Sequence, residues 1–214
     1  MIQHEIQKPE LNFSLILVIS LFSGLLVGMN LLGGKIITIF GVASSVAVLI
    51  VPITFAITDI ATELYGKTFS RQMTFAGMGT LLVLMAYSVV FATLEPNVRY
   101  AHNDAYANIF GTSLRMMLAS IIAFTLAQLQ DIVIFEKIRA ITKKKWLWLR
   151  ANLSTTVSEM VDTTVFMFVA FYLVTPKFDA LFIVTLIIPY LLLKVGFAIF
   201  ITPAVYVGVR FLKR

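Results

Sequence analysis

The chain has 214 residues, 59% of them hydrophobic and only 13% charged, with a mean hydropathy of +0.93. Soluble chains carry roughly 25% charged residues, and the apolar excess here is more than a core of this size can hide from water. A multidomain soluble enzyme and a disordered protein are thereby excluded, and the absence of Cys removes disulfide scaffolds, thiolate metal sites and cysteine nucleophiles. What remains is an all-α integral membrane protein.

With about 20 apolar residues per span, six stretches emerge in chain order: Phe13–Leu32, Ile36–Ile57, Met73–Leu94, Thr112–Phe135, Leu153–Val174 and Ala180–Val209. Residues 1–12 read as a polar N-terminal segment, 13–209 as one six-helix transmembrane domain, and 210–214 as a basic tail. The N-terminal segment is too charge-mixed, and the first span too long, for a cleaved signal peptide. No internal repeat relates the two halves, so an inverted-repeat architecture is not indicated.

The basic residues set the orientation. With six spans, both termini share a side with the second and fourth loops. That side holds twelve Lys and Arg, among them Lys67, Arg71, Lys143, Lys144, Lys145 and Arg150, whereas the other holds Lys35, Arg99 and Lys177. The bias predicts cytoplasmic termini. It also accounts for the net charge of +6 and the pI of 9.6 without nucleic acid. The Lys143–Lys145 run reads as a topology and anionic-lipid signal, with Trp146 and Trp148 as an interfacial anchor. The longest outward connection, Glu95–Gly111, reads as a polar loop or lid. His4 and His102 lie outside the spans, so a metal site has no support.

The informative residues are ionisable groups at membrane depth, each costing roughly 2.5–3.5 kcal/mol at a helix centre. They are Asp59 and Glu63 at the end of span two, Arg115 and Asp131 in span four, Glu159 and Asp162 in span five, and Lys194 in span six. Five acids face two bases, an imbalance that calls for a bound cation, a donor-rich ligand or protonation. Asp59 and Glu63 are spaced i, i+4 on one helical face. Gln128 and Asp131 are spaced i, i+3, as are Glu159 and Asp162, whose stripe Thr155 and Asn152 continue. In lipid such stripes face the bundle interior. A purely structural role competes, since interhelical polar contacts also act as packing glue worth about 0.6 kcal/mol each. Pro52 and Pro189 are expected to kink spans two and six, and Lys194 reads as a buried counter-ion.

Three blocks of residues resemble a known family. The run Thr58-Asp59-Ile60-Ala61-Thr62-Glu63-Leu64-Tyr65-Gly66-Lys67 is the first. Arg115, Ala119-Ser120, Ala123-Phe124, Gln128 and Asp131 follow in order along span four. The third and strongest is Trp148-Leu149-Arg150-Ala151-Asn152-Leu153-Ser154-Thr155, continued by Val161-Asp162-Thr163 and Phe166, with Lys194, Thr202-Pro203 and Tyr206 beyond it. Together they resemble the YhhQ-type queuosine precursor transporters, also known as the vitamin-uptake-transporter (VUT) family, over most of the chain from span two onward.

The resemblance implies import of a 7-deazaguanine base, in its cyano or aminomethyl form, across the cytoplasmic membrane. It implies no enzyme activity and no cofactor; the partners are the small-molecule substrate and the bilayer, and the lipid-facing surface makes a homodimer a candidate assembly. The chemistry agrees, because a carboxylate accepts the parallel N–H donors of a guanine-like edge, and Phe55, Tyr65, Phe124 or Phe166 offers a face for stacking. On this basis Asp131, Glu159 and Asp162, with Gln128, Asn152 and Thr155, are expected to line the substrate pocket. Asp59, Glu63 and Arg150, with Arg115 and Lys194, are expected to serve gating or proton coupling. Asp162 is placed first among substrate contacts and Glu63 first among coupling groups. Two alternatives remain. One is the substrate-binding component of an ATP-driven energy-coupling-factor importer, because the chain has no G-x-x-x-x-G-K-[ST] motif of its own. The other is an intramembrane Mg²⁺-dependent lipid enzyme, which the lack of a dense acidic motif disfavours.

Overall fold

The computed structural model describes residues 13–110, 114–143, 145–173, 176 and 179–212. The expectations that fall on the N-terminal segment 1–12, on Thr112, Lys144, Val174 and Lys177, and on Lys213 and Arg214 lie outside the described residues.

Helix α1, Phe13–Leu32, is apolar on every side and buries Leu15, Val18, Phe22, Leu26 and Met29, the residues that recur at helical spacing on one stripe. Its partner is α3, where Gly77 lets the two helices close. A Cβ at Gly77 would lie 2.7 Å from Cε1 of Phe22 and 3.2 Å from Cδ2 of Leu26.

The expected second span divides. Ile36–Ile39 (β1) pairs antiparallel with Val42–Ser45 (β2), with Ile39 opposite Val42. Phe40 and Gly41 between them have φ of 49° and 80°, the paired positive values of a tight two-residue hairpin turn. Ser45 ends the hairpin. It donates a 2.5 Å hydrogen bond to the Gly33 carbonyl and accepts the Ala47 N–H at 3.1 Å, which starts a short 3-10 helix over Val46–Leu49. Helix α2 runs only from Val51 to Tyr65. Two expectations change in consequence. Pro52 sits in the first turn of α2, where no backbone donor is needed, and so starts the helix instead of kinking it. Asp59 stands in the middle of α2, 1% exposed, and not at the span's end.

Gly66, at φ 84°, turns the chain directly from α2 into α3, Lys67–Thr93. The connection after α3, expected to be an outward polar loop or lid, contains an eight-residue helix, α4 (Asn103–Phe110). Helices α5 (Leu114–Ile141) and α6 (Leu147–Phe171) pack along each other. Buried Ala119, Ala123 and Ala127 on α5 and Ala151, Ser154 and Ser158 on α6 present little side chain, so the backbones approach closely. Helix α7, Ala180–Leu212, encloses Pro189 and Pro203 and packs on α6 and α2. It runs past Val209, so Arg210, expected in the tail, belongs to the helix.

Among the described residues, five segments are long and apolar enough to cross a bilayer: Phe13–Leu32, Val46–Tyr65, Lys67–Thr93, Leu118–Ile141 and Ala180–Leu212. Helix α6, with 25 residues, has the length but carries Arg150, Glu159 and Asp162 on its buried face. The architecture is that of an all-α, multi-pass integral membrane protein. Its apolar core is built around Phe22, Leu26, Phe55, Leu81 and Phe124, and its polar groups gather around α6.

Candidate functional site

Helix α6 organises three charged clusters along its length. At its N-terminal end, Arg150 is 1% exposed and its Nη2 donates a 2.6 Å hydrogen bond to Glu63 Oε2 on α2. Arg139 of α5 joins the same carboxylate, its Nε 3.4 Å from Glu63 Oε2, while its Nη1 donates to Glu136 at 2.8 Å. The Arg150 guanidinium also lies 5.2 Å from the centre of the Phe135 ring. Two acids and two bases are balanced here, tying α2, α5 and α6 together at the end of the bundle that bears the Lys143–Lys145 loop.

About two turns along α6, Asp131 of α5 faces Asp59 of α2 and the hydroxyls of Ser154 and Ser158. No cation pairs with either aspartate among the described residues. Both Asp131 oxygens, Oδ1 of Asp59 and Oγ of Ser158 are buried without a hydrogen-bond partner. Gln128, one turn before Asp131, has both amide atoms in the same condition. The neighbouring threonines are not free to help, since Thr58 and Thr62 donate to backbone carbonyls four residues earlier, at 3.0 and 2.8 Å.

The third cluster centres on Lys194 of α7, 2% exposed, whose Nζ is 2.7 Å from Glu159 Oε2 and 2.7 Å from Asp162 Oδ2. The ring of Tyr190 lies one turn earlier, its centre 5.4 Å from the ammonium.

This last cluster meets a cavity of about 360 Å³, within the range of small-molecule sites. Asp162, Thr163, Tyr190 and Lys194, with Ser120, Asn30 and Ser88, line it with polar groups, and Phe124, Phe166, Phe171, Met29 and Met85 with apolar ones. Phe124 packs on Phe55 with ring centres 5.9 Å apart. The hairpin, through Ile36 and Ser44, and α4, through Ile109 and Phe110, border the cavity at the end of the bundle opposite the Lys-rich loop.

The residues singled out from sequence therefore separate. Asp162 and Lys194 line the cavity; Glu159 stands behind them, fully buried. Asp131 and Gln128 do not line it. Asn152 and Thr155 border a different crevice between α2, α6 and α7, of about 10 Å³, which Asp59 also lines. There Asn152 Oδ1 accepts from Thr202 at 2.9 Å while its Nδ2 donates to the Trp148 carbonyl at 2.8 Å. Arg115 is far from Glu63 and Arg150: its Nε and Nη2 donate to the Val169 and Tyr172 carbonyls at 2.7 and 2.6 Å, satisfying the open C-terminal end of α6. Lys194 likewise belongs to the Glu159–Asp162 cluster and not to the Glu63 network.

Sequence reasoning missed Glu136, Arg139 and Tyr190. The first two follow Phe135, where the apolar span was cut, yet 128, 131, 135 and 139 recur at helical spacing and continue the polar face.

Comparison with known proteins agrees with this architecture. Residues 45–208 match the family described as "Putative vitamin uptake transporter". The chain is 32% identical to the "Probable queuosine precursor transporter" of Bacillus subtilis (strain 168) over 148 residues, 69% of this chain and 65% of that one. It is 28% identical to the protein of the same name from Haemophilus influenzae over 62% of this chain and 54% of the relative. With the "Queuosine precursor transporter" of Escherichia coli (strain K12) it shares 29% identity over 56% of this chain and 52% of the relative. The matched region thus spans between about half and two thirds of these relatives' length. No solved structure matches. The family match covers α2 through most of α7, the helices that carry all three charged clusters, and the chain belongs to the vitamin uptake transporter family.

Proposed function

We propose that the protein imports a queuosine precursor, a 7-deazaguanine base in its cyano or aminomethyl form, across the cytoplasmic membrane, with proton movement as the driving force. The observation that carries this reading is the 360 Å³ cavity, which combines a buried carboxylate with aromatic walls. A planar bicyclic base needs both. The Asp162 carboxylate has two oxygens and Lys194 engages one of them, so the other is available to the parallel N–H donors of the base edge. Tyr190 and Lys194 supply donors for a ring carbonyl, and Phe124 or Phe166 a stacking face.

The rest of the reading is topological. Six spans, α6 being the polar one, put both termini and the Lys-rich loop in the cytoplasm. The cavity then lies on the outer side, bordered by the hairpin and α4, and the Glu63–Arg150–Arg139 network closes the inner side. Glu159 acts through Lys194, and Asn152 and Thr155 hold α6 against α7. Association as a homodimer belongs to the same reading, through the broad apolar surface left to lipid.

The test uses cells that cannot make the precursor and lack an importer of their own. Expression of this chain with limiting cyano- or aminomethyl-deazaguanine restores queuosine in tRNA, and Asp162→Asn abolishes the restoration while membrane expression persists. Normal restoration by Asp162→Asn would overturn the pocket assignment. Restoration that required added ATPase subunits would favour an energy-coupling-factor importer.

A further inference from the structure

We propose that the Asp59–Asp131 pair, joining α2 to α5, is the protein's proton-carrying site, separate from the substrate cavity. The inference rests on the transport reading above and names the groups that couple it to a proton.

The argument starts from hydrogen bonding. A carboxylate only accepts, whereas a carboxylic acid also donates. Asp59 and Asp131 face one another while completely enclosed, and three of their four oxygens have no partner. Two acceptor-only groups in that position repel, and neither can donate to the other. One proton between them turns one carboxyl into a donor and the other into its acceptor, and removes one of two charges. The charged neighbours do not offer another solution. From α6, Arg150 faces Asp59, but its ion pair is with Glu63, to which Nη2 donates; its Nε is buried without a partner and makes no ion pair with Asp59. Glu159, also from α6, faces Asp131 and adds negative charge, and Lys194 from α7 is held by Glu159 and Asp162. Glu63 of α2 is fixed by two arginines. Helices α3 and α7 add no titratable side chain at the pair: Lys67 and Arg71 of α3 are exposed, and α7 presents Ala198, Thr202 and Val205 to the crevice that Asp59 lines. That crevice has room for about one water, enough to bring a proton to Asp59.

Position gives the pair its use. It stands between the cavity cluster and the cytoplasmic ion-pair network, on the same stretch of α6 that carries Glu159. Loss of the proton to a water in the crevice between α2, α6 and α7 breaks one carboxyl O–H bond and leaves two facing carboxylates, which drive α2 and α5 apart. Protonation draws them together again. On this reading Glu63, placed first for coupling on sequence grounds, serves in the closure.

The experiment reconstitutes the full chain in liposomes of bacterial phospholipid and follows radiolabelled cyano-deazaguanine. An inward proton gradient, acid outside, is expected to drive accumulation that a protonophore abolishes and a sodium gradient does not replace. Asp131→Asn and Asp59→Asn are each expected to lose accumulation at least tenfold yet still exchange labelled for unlabelled substrate, which also shows that they fold. Accumulation by either variant equal to the parent, or driving by sodium alone, would overturn the site. A second arm needs no substrate. The infrared spectrum of the protein in detergent at neutral pH should show a protonated carboxyl band that either variant loses; a band unchanged in both would also overturn it. Failure of the parent to move deazaguanine while the band behaves as expected would instead count against the substrate assignment and leave the proton site supported.

Discussion

Lys194 is the residue whose removal should disturb the bundle most. Its ammonium is 2.7 Å from Glu159 and 2.7 Å from Asp162 in a site closed to solvent. In Lys194→Met the two carboxylates, no more than twice that distance apart, would face each other without a counter-charge. At an effective dielectric near 20 their repulsion alone is about 3 kcal/mol, and breaking a buried pair from one side costs about 3–5 kcal/mol. We expect a loss of about 3–5 kcal/mol in mixed-micelle unfolding. Glu159→Gln in the same chain should return at least half of that, since only Asp162, which borders the cavity, then remains charged. The double-variant cycle isolates the term because Glu159 and Lys194 touch directly. A Lys194→Met protein within about 0.5 kcal/mol of the parent, or no recovery on adding Glu159→Gln, would refute the argument that the three groups form one charge-balanced unit.

Other consequences can be checked separately. Glu63→Gln leaves Arg150 without its carboxylate partner in a dry site; unfolding should come about 2–4 kcal/mol more easily, and a parental unfolding curve would argue against the network as a closure. Ser120→Trp puts a large ring into the cavity wall and is expected to weaken deazaguanine binding at least tenfold with membrane insertion unchanged; unaltered binding by equilibrium dialysis would move the substrate elsewhere. Gly77→Val overfills the α1–α3 contact against Phe22, with an expected cost of about 1–3 kcal/mol, read by thermal unfolding in detergent. Because the chain has no cysteine, Arg71→Cys and Val98→Cys report topology directly. A membrane-impermeant maleimide added to intact cells should label the second and spare the first, and the reverse pattern would invert the orientation.

Much of this was legible in the chain itself. Composition dictates the bilayer, because no folding of 214 residues hides so much apolar surface from water. Runs of apolar residues dictate where most helices lie, and the Lys and Arg asymmetry predicts which side they face. Spacing shows which polar groups share a helical face: Asp59 with Glu63, Gln128 with Asp131, Glu159 with Asp162. All of these are short-range properties, set by a helix's own geometry and by the surrounding solvent.

Tertiary structure decided the rest. Ile36–Ile57 is a mainly apolar stretch without a charged residue, and its periodicity does not separate a helix there from strands; the hairpin is fixed by the turn at Phe40–Gly41 and by the distant bond from Ser45 to Gly33. Spacing likewise says that two acids point the same way but not what stands opposite. Glu159 and Asp162 find a lysine because α7 brings Lys194 to them, Glu63 finds Arg150 and Arg139 because α6 and the end of α5 close on α2, and Asp131 meets Asp59 with no ion-paired base among the described residues. An acid's role in a membrane depends on the charge facing it, and that charge is contributed by a helix many residues away, so only the packing of the bundle could assign it.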